Sequence, residues 1–157
     1  MTENIRRVVT RLTEEGKSVI VSDGSPNQVV TFDNFPELKV VELWATDNIP
    51  TLPVDGSDPT LNEPSFLPKP GGTCFRIVQI APMGTHKGEL HSSDTIEYLT
   101  VISGDVWLTL EGGEETQLHQ GDFVVQNGTR HAWTNRGTTT CIIAAALLGT
   151  NSQFGTR

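Results

Sequence analysis

From Gly72 onwards, turn residues recur at intervals of about 8–12 residues, and they cut the chain into short β-branched and apolar runs. Such punctuation suits a sandwich or barrel of strands and little else. Cys74–Ile80, Ile96–Ile102, Val106–Leu110, Glu115–Leu118, Phe123–Val125, Ala132–Asn135 and Cys141–Leu147 each have the length and side chains of a strand. Glu111-Gly112-Gly113-Glu114 is a hairpin turn between two of them. With 15 Gly, 9 Pro and only 36% hydrophobic residues, many short elements are favoured over long helices. The sequence therefore predicts an all-β barrel or jelly roll.

A length of 157 residues suits one domain with its own core. We divide it into N-terminal strands over 1–48, a proline-rich loop over 49–72, the barrel over 73–149 and a tail over 150–157. In the first part, Arg6–Leu12 and Ser18–Ser22 flank Glu14-Glu15-Gly16-Lys17 as the arms of a hairpin, and Lys39–Ala45 reads as a further strand. A short opening helix over Glu3–Arg11 competes with the first arm, but its valines disfavour it. These strands are expected to form an extra layer outside the barrel. Val8-Val9 and Val19-Ile20-Val21 are too apolar to stay solvated, so the arm should cover a sheet edge, its own or that of a second copy in a homodimer.

Ile49–Gly72 carries Pro50, Pro53, Pro59, Pro64, Pro68 and Pro70, which exclude a regular helix or a central strand. Its Phe66 and Leu67 form an apolar tip able to sit over a cavity.

The formal charge of −8 argues against nucleic acid or an anionic membrane as partner. No apolar run approaches the roughly 20 residues of a membrane span, and the first residues lack the apolar core of a secretion signal. Cys74 and Cys141 lie in apolar runs and read as buried thiols. The expected setting is cytoplasmic.

His91, Glu97 and His131 sit on short segments between glycine turns. Two imidazoles and a carboxylate with open positions form a donor set that suits a catalytic divalent metal. His91, Ser93, Thr95 and Glu97 share one parity, so a single unbroken strand would turn all four to one face. The bland alternative is a polar barrel interior in which Glu97 accepts hydrogen bonds from the histidines without any metal. His86, His119 and Asp94 are expected on the surface, and Tyr98 on the opposite face from Glu97. Arg76, on a strand crossing the barrel, could clamp a substrate carboxylate. Trp133 shares the parity of His131 and should line the cavity. Trp44 and Trp107 read as core or interface aromatics.

With these residues the stretch from Gly72 to Gly149 resembles the cupin family, and in particular its small single-domain members. His91, Glu97 and Gly104 fill the histidine, glutamate and glycine positions of the first family motif. Gly121, Gly128, His131 and Asn135 match the second, which is one residue shorter here before its second glycine. Ser93 replaces the second histidine of the first motif, and Gln126 the proline of the second. The resemblance implies a jelly-roll barrel with His91, Glu97 and His131 as metal ligands, the ion being Fe, Mn, Zn or Ni if one is bound at all. It implies a catalytic part for Glu97 and His131, with Ser93, Arg76, Trp133 and Phe66 facing a small-molecule substrate. Three activities follow from it. A metal-assisted dehydratase, decarboxylase, isomerase or lyase working beside a carbonyl or carboxylate is favoured; a non-haem iron oxygenase and a non-catalytic ligand-binding protein are the alternatives.

Overall fold

The computed structural model describes residues 5–62 and 66–151. Most of the predicted tail, the first four residues and Glu63–Ser65 in the proline-rich loop lie outside the described residues. The strands are β1 Arg7–Leu12, β2 Ser18–Gly24, β3 Val29–Phe32, β4 Phe35–Thr46, β5 Thr73–Ile80, β6 Thr95–Ser103, β7 Val106–Leu110, β8 Glu115–Leu118, β9 Phe123–Asn127, β10 His131–Thr134 and β11 Cys141–Gly149. The protein is an all-β jelly roll. Among the described residues no helix is long and apolar enough to cross a membrane.

A six-stranded sheet in the order β3-β4-β5-β11-β6-β9 faces a three-stranded sheet in the order β10-β7-β8. Every ladder is antiparallel. Period-two alternation builds the core. On β11, Cys141, Ile143, Ala145 and Leu147 are buried, and they meet Leu99 and Val101 of β6 and Val106 and Leu108 of β7. A smaller cluster of Val41, Leu43 and Ile77, with Ile5 against it, covers part of the opposite face of the large sheet.

The N-terminal layer is only partly separate. β4 pairs with β5 along nearly its whole length and is an integral strand of the large sheet. Only β1 and β2 stand apart, as a hairpin paired with itself. Arg7–Leu12 is thus extended and not helical, as the β-branched side chains of β1 prefer. Val8, Leu12, Ile20 and Val21 on the hairpin are exposed.

Among its described residues the proline-rich stretch holds one regular feature, a single 3-10 turn over Pro59–Asn62. Asp58 caps it: its Oδ1 accepts from the Thr60 amide at 3.0 Å, and Pro59 follows as the first residue of the turn. Composition alone had left no regular structure there; a cap followed by proline is the local exception.

Candidate functional site

Alternate residues of the large sheet turn inward to wall a cavity of about 520 Å³. Leu38 and Val40 come from β4, Val78 and Ile80 from β5, Leu99 from β6 and Ala145 from β11. Phe66 and Leu67 of the proline-rich loop close one side, and Trp133 and the segment Gly88–Ser93 another. That segment lies tight against β10, because a Cβ on Gly88 would stand 2.0 Å from the Trp133 carbonyl oxygen. Only glycine permits the approach.

The close packing at Gly88 leads directly to His91. His91 lies outside β6; it forms an isolated antiparallel bridge with His131, each amide donating to the other's carbonyl at 2.9 Å. The expected unbroken strand from His91 to Glu97 is therefore absent, since β6 begins at Thr95. The two imidazoles come together across the bridge, with ring centroids 4.5 Å apart. His91 Nδ1 lies 3.0 Å from the Glu89 carbonyl oxygen, and His131 Nδ1 lies 2.8 Å from that of Thr129. A carbonyl can only accept, so both Nδ1 atoms carry a proton, and in the neutral rings the lone pair lies on Nε2.

His91 is exposed on the cavity wall, whereas His131 is only 2% exposed and its Nε2 has no partner. Burial pushes the His131 pKa below the usual imidazole range, against the Thr129 carbonyl; nearby His91 adds to the fall and Glu97 opposes it. Glu97 reaches the cavity from β6 and is held by hydroxyls. Its Oε1 accepts from Ser93 Oγ at 3.0 Å and from Thr95 Oγ1 at 2.9 Å. Ser93 thus serves the carboxylate.

The fit to a metal is divided. Two imidazoles with fixed tautomers, one offering an orphaned buried Nε2, suit a divalent ion of borderline hardness. The carboxylate does not stand with them: among the described residues, no three His, Cys, Asp or Glu side chains form a group able to hold an ion.

Arg76 faces the same cavity and is 3% exposed. It is the direct cross-strand neighbour of Glu42, with Nη2 at 2.9 Å from Glu42 Oε1. The same Nη2 donates to the Phe66 carbonyl, and the guanidinium lies 4.5 Å from the Phe66 ring centroid. Phe66 also meets Phe32 edge-on at 5.5 Å. Burial pushes the Glu42 carboxyl above the ordinary range, although Arg76 pulls it back. Among the described residues, neither Arg76 Nε nor Glu42 Oε2 has a hydrogen-bond partner.

Sequence reasoning missed Glu42. Its signal was a single carboxylate inside the apolar run Val40-Val41-Glu42-Leu43-Trp44. Gln79, one strand position out of phase with the cavity wall, is buried on the other side of β5 and borders a second hollow.

The remaining candidates lie elsewhere. His86 and His119 are exposed beside Glu37 and Asp105, and Asp94 and Tyr98 are exposed as well. Asn135 is fully buried and structural: its Nδ2 donates to the Ile80 and Thr139 carbonyls at 2.7 and 2.8 Å. Cys74 and Cys141 are unpaired and buried, and burial pushes the Cys141 thiol up to about 11.

Comparison with known proteins bears on the same region. The family model described as the cupin domain matches residues 76–147. Phomopsin biosynthesis cluster protein C' of Diaporthe leptostromiformis is 39% identical over 79 residues, 50% of this chain and 41% of that protein. The cupin-domain-containing oxidoreductase srdD of Neurospora crassa is 30% identical over 135 residues, 83% of this chain and 66% of that protein. The chain thus spans less than half the length of the phomopsin-cluster relative. Among solved structures, the Schizosaccharomyces pombe Cnp3 cupin domain superposes with a TM-score of 0.54 at 10% identity, covering 92% of this chain and 87% of that one. That likeness is one of fold.

Proposed function

Because the chain belongs to the cupin family, we propose that its inner cavity binds a small organic molecule and that the chain transforms it beside a carbonyl or carboxylate group, by dehydration, decarboxylation, isomerisation or elimination. One observation carries this reading: His91 and His131 are anchored alike through Nδ1, His91 on the wall of an apolar cavity of about 520 Å³ and His131 buried against it with its ring centroid 4.5 Å away. Cavities of this size and lining suit a small ligand, and paired imidazoles with fixed tautomers are equipped for polar chemistry on it.

The proposed holders of a divalent ion are His91 and His131 through Nε2; Glu97 would have to leave the Ser93 and Thr95 hydroxyls to join them as third donor. Such an ion, when bound, would polarise a ligand oxygen as a Lewis acid. The residues have parts of their own. The Ser93 and Thr95 hydroxyls orient Glu97, and a carboxylate so held can take or return a proton at its second oxygen. Trp133, edge-on to His131 at 5.5 Å, and Phe66 and Leu67 exclude water from the ligand's apolar part.

A second reading is favoured by the srdD relative, which is named an oxidoreductase. In it the same three donors serve a non-haem iron centre with open sites for oxygen and substrate. Loading the protein with iron(II), manganese(II) or zinc(II) separates the two. Turnover of carbonyl compounds without oxygen, supported by zinc or manganese, is expected from the first reading. Turnover that needs iron and consumes oxygen would move the assignment to the second. Ligand binding without turnover under any of these conditions would leave a binding protein.

We also propose a cytoplasmic homodimer. The exposed Ile20, Val21 and Val8 of the hairpin support it, since a second copy would take that surface out of water. The two unpaired thiols suit a reducing compartment.

A further inference from the structure

We propose that the cavity selects an uncharged, largely apolar molecule bearing a carbonyl or hydroxyl oxygen, and that Glu42 is the residue that keeps carboxylates out. This rests on the reading of the cavity as the ligand site and narrows its substrate class.

The ionisable residues on the wall are Glu37, Glu89, Glu97, His91 and Arg76. Arg76 is the only guanidinium among them, and it already has a counter-ion in Glu42, its cross-strand neighbour, both side chains being 4% exposed. A ligand carboxylate would enter a space already rich in carboxylates and would have to share Arg76 with Glu42. An anion taken out of water without an unshared partner is strongly disfavoured.

Hydrogen bonding points the same way. Arg76 Nη2 is spent on Glu42 and on the Phe66 carbonyl. A neutral oxygen that meets the guanidinium accepts a hydrogen bond without displacing Glu42 from the ion pair. The register places the second polar contact. Arg76, Ala145 and Leu99 lie side by side across β5, β11 and β6, and Glu97 is two residues along β6 from Leu99. The Cα atoms of Arg76 and Glu97 are therefore about 12 Å apart, with apolar Leu99, Ala145 and Leu147 between them. A ligand that spans both ends needs an apolar body with oxygen at one end and the reacting group at the other.

The test is calorimetric titration of the full chain with two molecules of nearly equal shape, acetylnaphthalene and naphthoate, at the same ionic strength. The ketone is expected to bind at least about tenfold more tightly, the cost of placing an unpaired anion beside Glu42. In Glu42→Gln the preference should shift towards naphthoate by a similar factor, because Arg76 then lacks its counter-ion. Equal or tighter binding of naphthoate by the wild-type protein would overturn the inference while leaving the cavity as the ligand site. Binding of neither compound would overturn the reading of the cavity itself. The wild-type ratio decides the matter even if Glu42→Gln fails to fold.

Discussion

Arg7 on the N-terminal hairpin grips Asp58 in the proline-rich segment with both guanidinium arms, and the same side chain donates to the Leu43 carbonyl at 2.9 Å. This clasp ties the hairpin and the loop to the large sheet. Burial pushes the Asp58 carboxyl up, but hydrogen bonds from Arg7 and Thr60 together hold it below its ordinary value. A depressed folded-state pKa means that the stabilisation is complete above the unfolded value of about 3.9 and is lost as pH falls through the lower folded value. Hydrogen-exchange protection of β1 and β2 should thus be constant from neutral pH down to the region of that unfolded value and fall below it. Asp58→Asn should cost about 1–3 kcal/mol in denaturant unfolding, because Arg7 is left half-partnered in a largely buried place. Loss of hairpin protection well above the carboxylate range would refute the assignment.

Ser93→His should increase the divalent metal that the protein retains. Ser93 lies on the cavity wall, and its hydroxyl now serves Glu97. An imidazole there would add a nitrogen donor and release Glu97 Oε1 from one of its two hydroxyl partners. Metal content after dialysis against a weak chelator measures the effect, with a gain of about tenfold or more in affinity expected from an added ligand. No gain would show that position 93 does not face the histidines.

Phe66→Ser should weaken binding of a cavity ligand more than it lowers thermal stability. Phe66 is 43% exposed, so its loss removes limited core packing, yet it faces the cavity and packs on Arg76 and Phe32. The expectation is a weakening of acetylnaphthalene binding by about fivefold or more alongside a stability loss near 1 kcal/mol. A large stability loss with unchanged affinity would make the loop part of the core.

Light scattering across the micromolar range should give twice the chain mass, and Ile20→Lys should halve it. Ile20 is 66% exposed on the unpaired hairpin. A monomer at every concentration would contradict the proposed assembly.

The barrel strands were legible because their alternation is strong. Cys74, Arg76, Cys141, Ile143 and Ala145 all face as period two requires. β3 escaped notice because four residues beside Asp33-Asn34 carry too little pattern to stand out. Parity brought His91, Ser93 and Glu97 to one cavity wall, but the unbroken strand it assumed is absent: β6 begins at Thr95, and Ser93 and His91 stand outside it. A bridge to His131, permitted by Gly88, positions that ring, and no local pattern encodes a contact across forty residues. Glu42 was hidden for a related reason: only the register of β4 on β5 sets it against Arg76.

The central claim is that His91 and His131 together hold an ion at the cavity. Elemental analysis of freshly purified, chelator-free protein tests it most directly. The account predicts close to one divalent metal per chain in the wild type, and about a tenfold or greater loss of affinity in His91→Ala and in His131→Ala. Lys87→Ala, on the exposed loop nearby, should keep the wild-type content. Wild-type protein that takes up no metal when offered iron, manganese, zinc or nickel, or His131→Ala protein that binds as well as wild type, would contradict it.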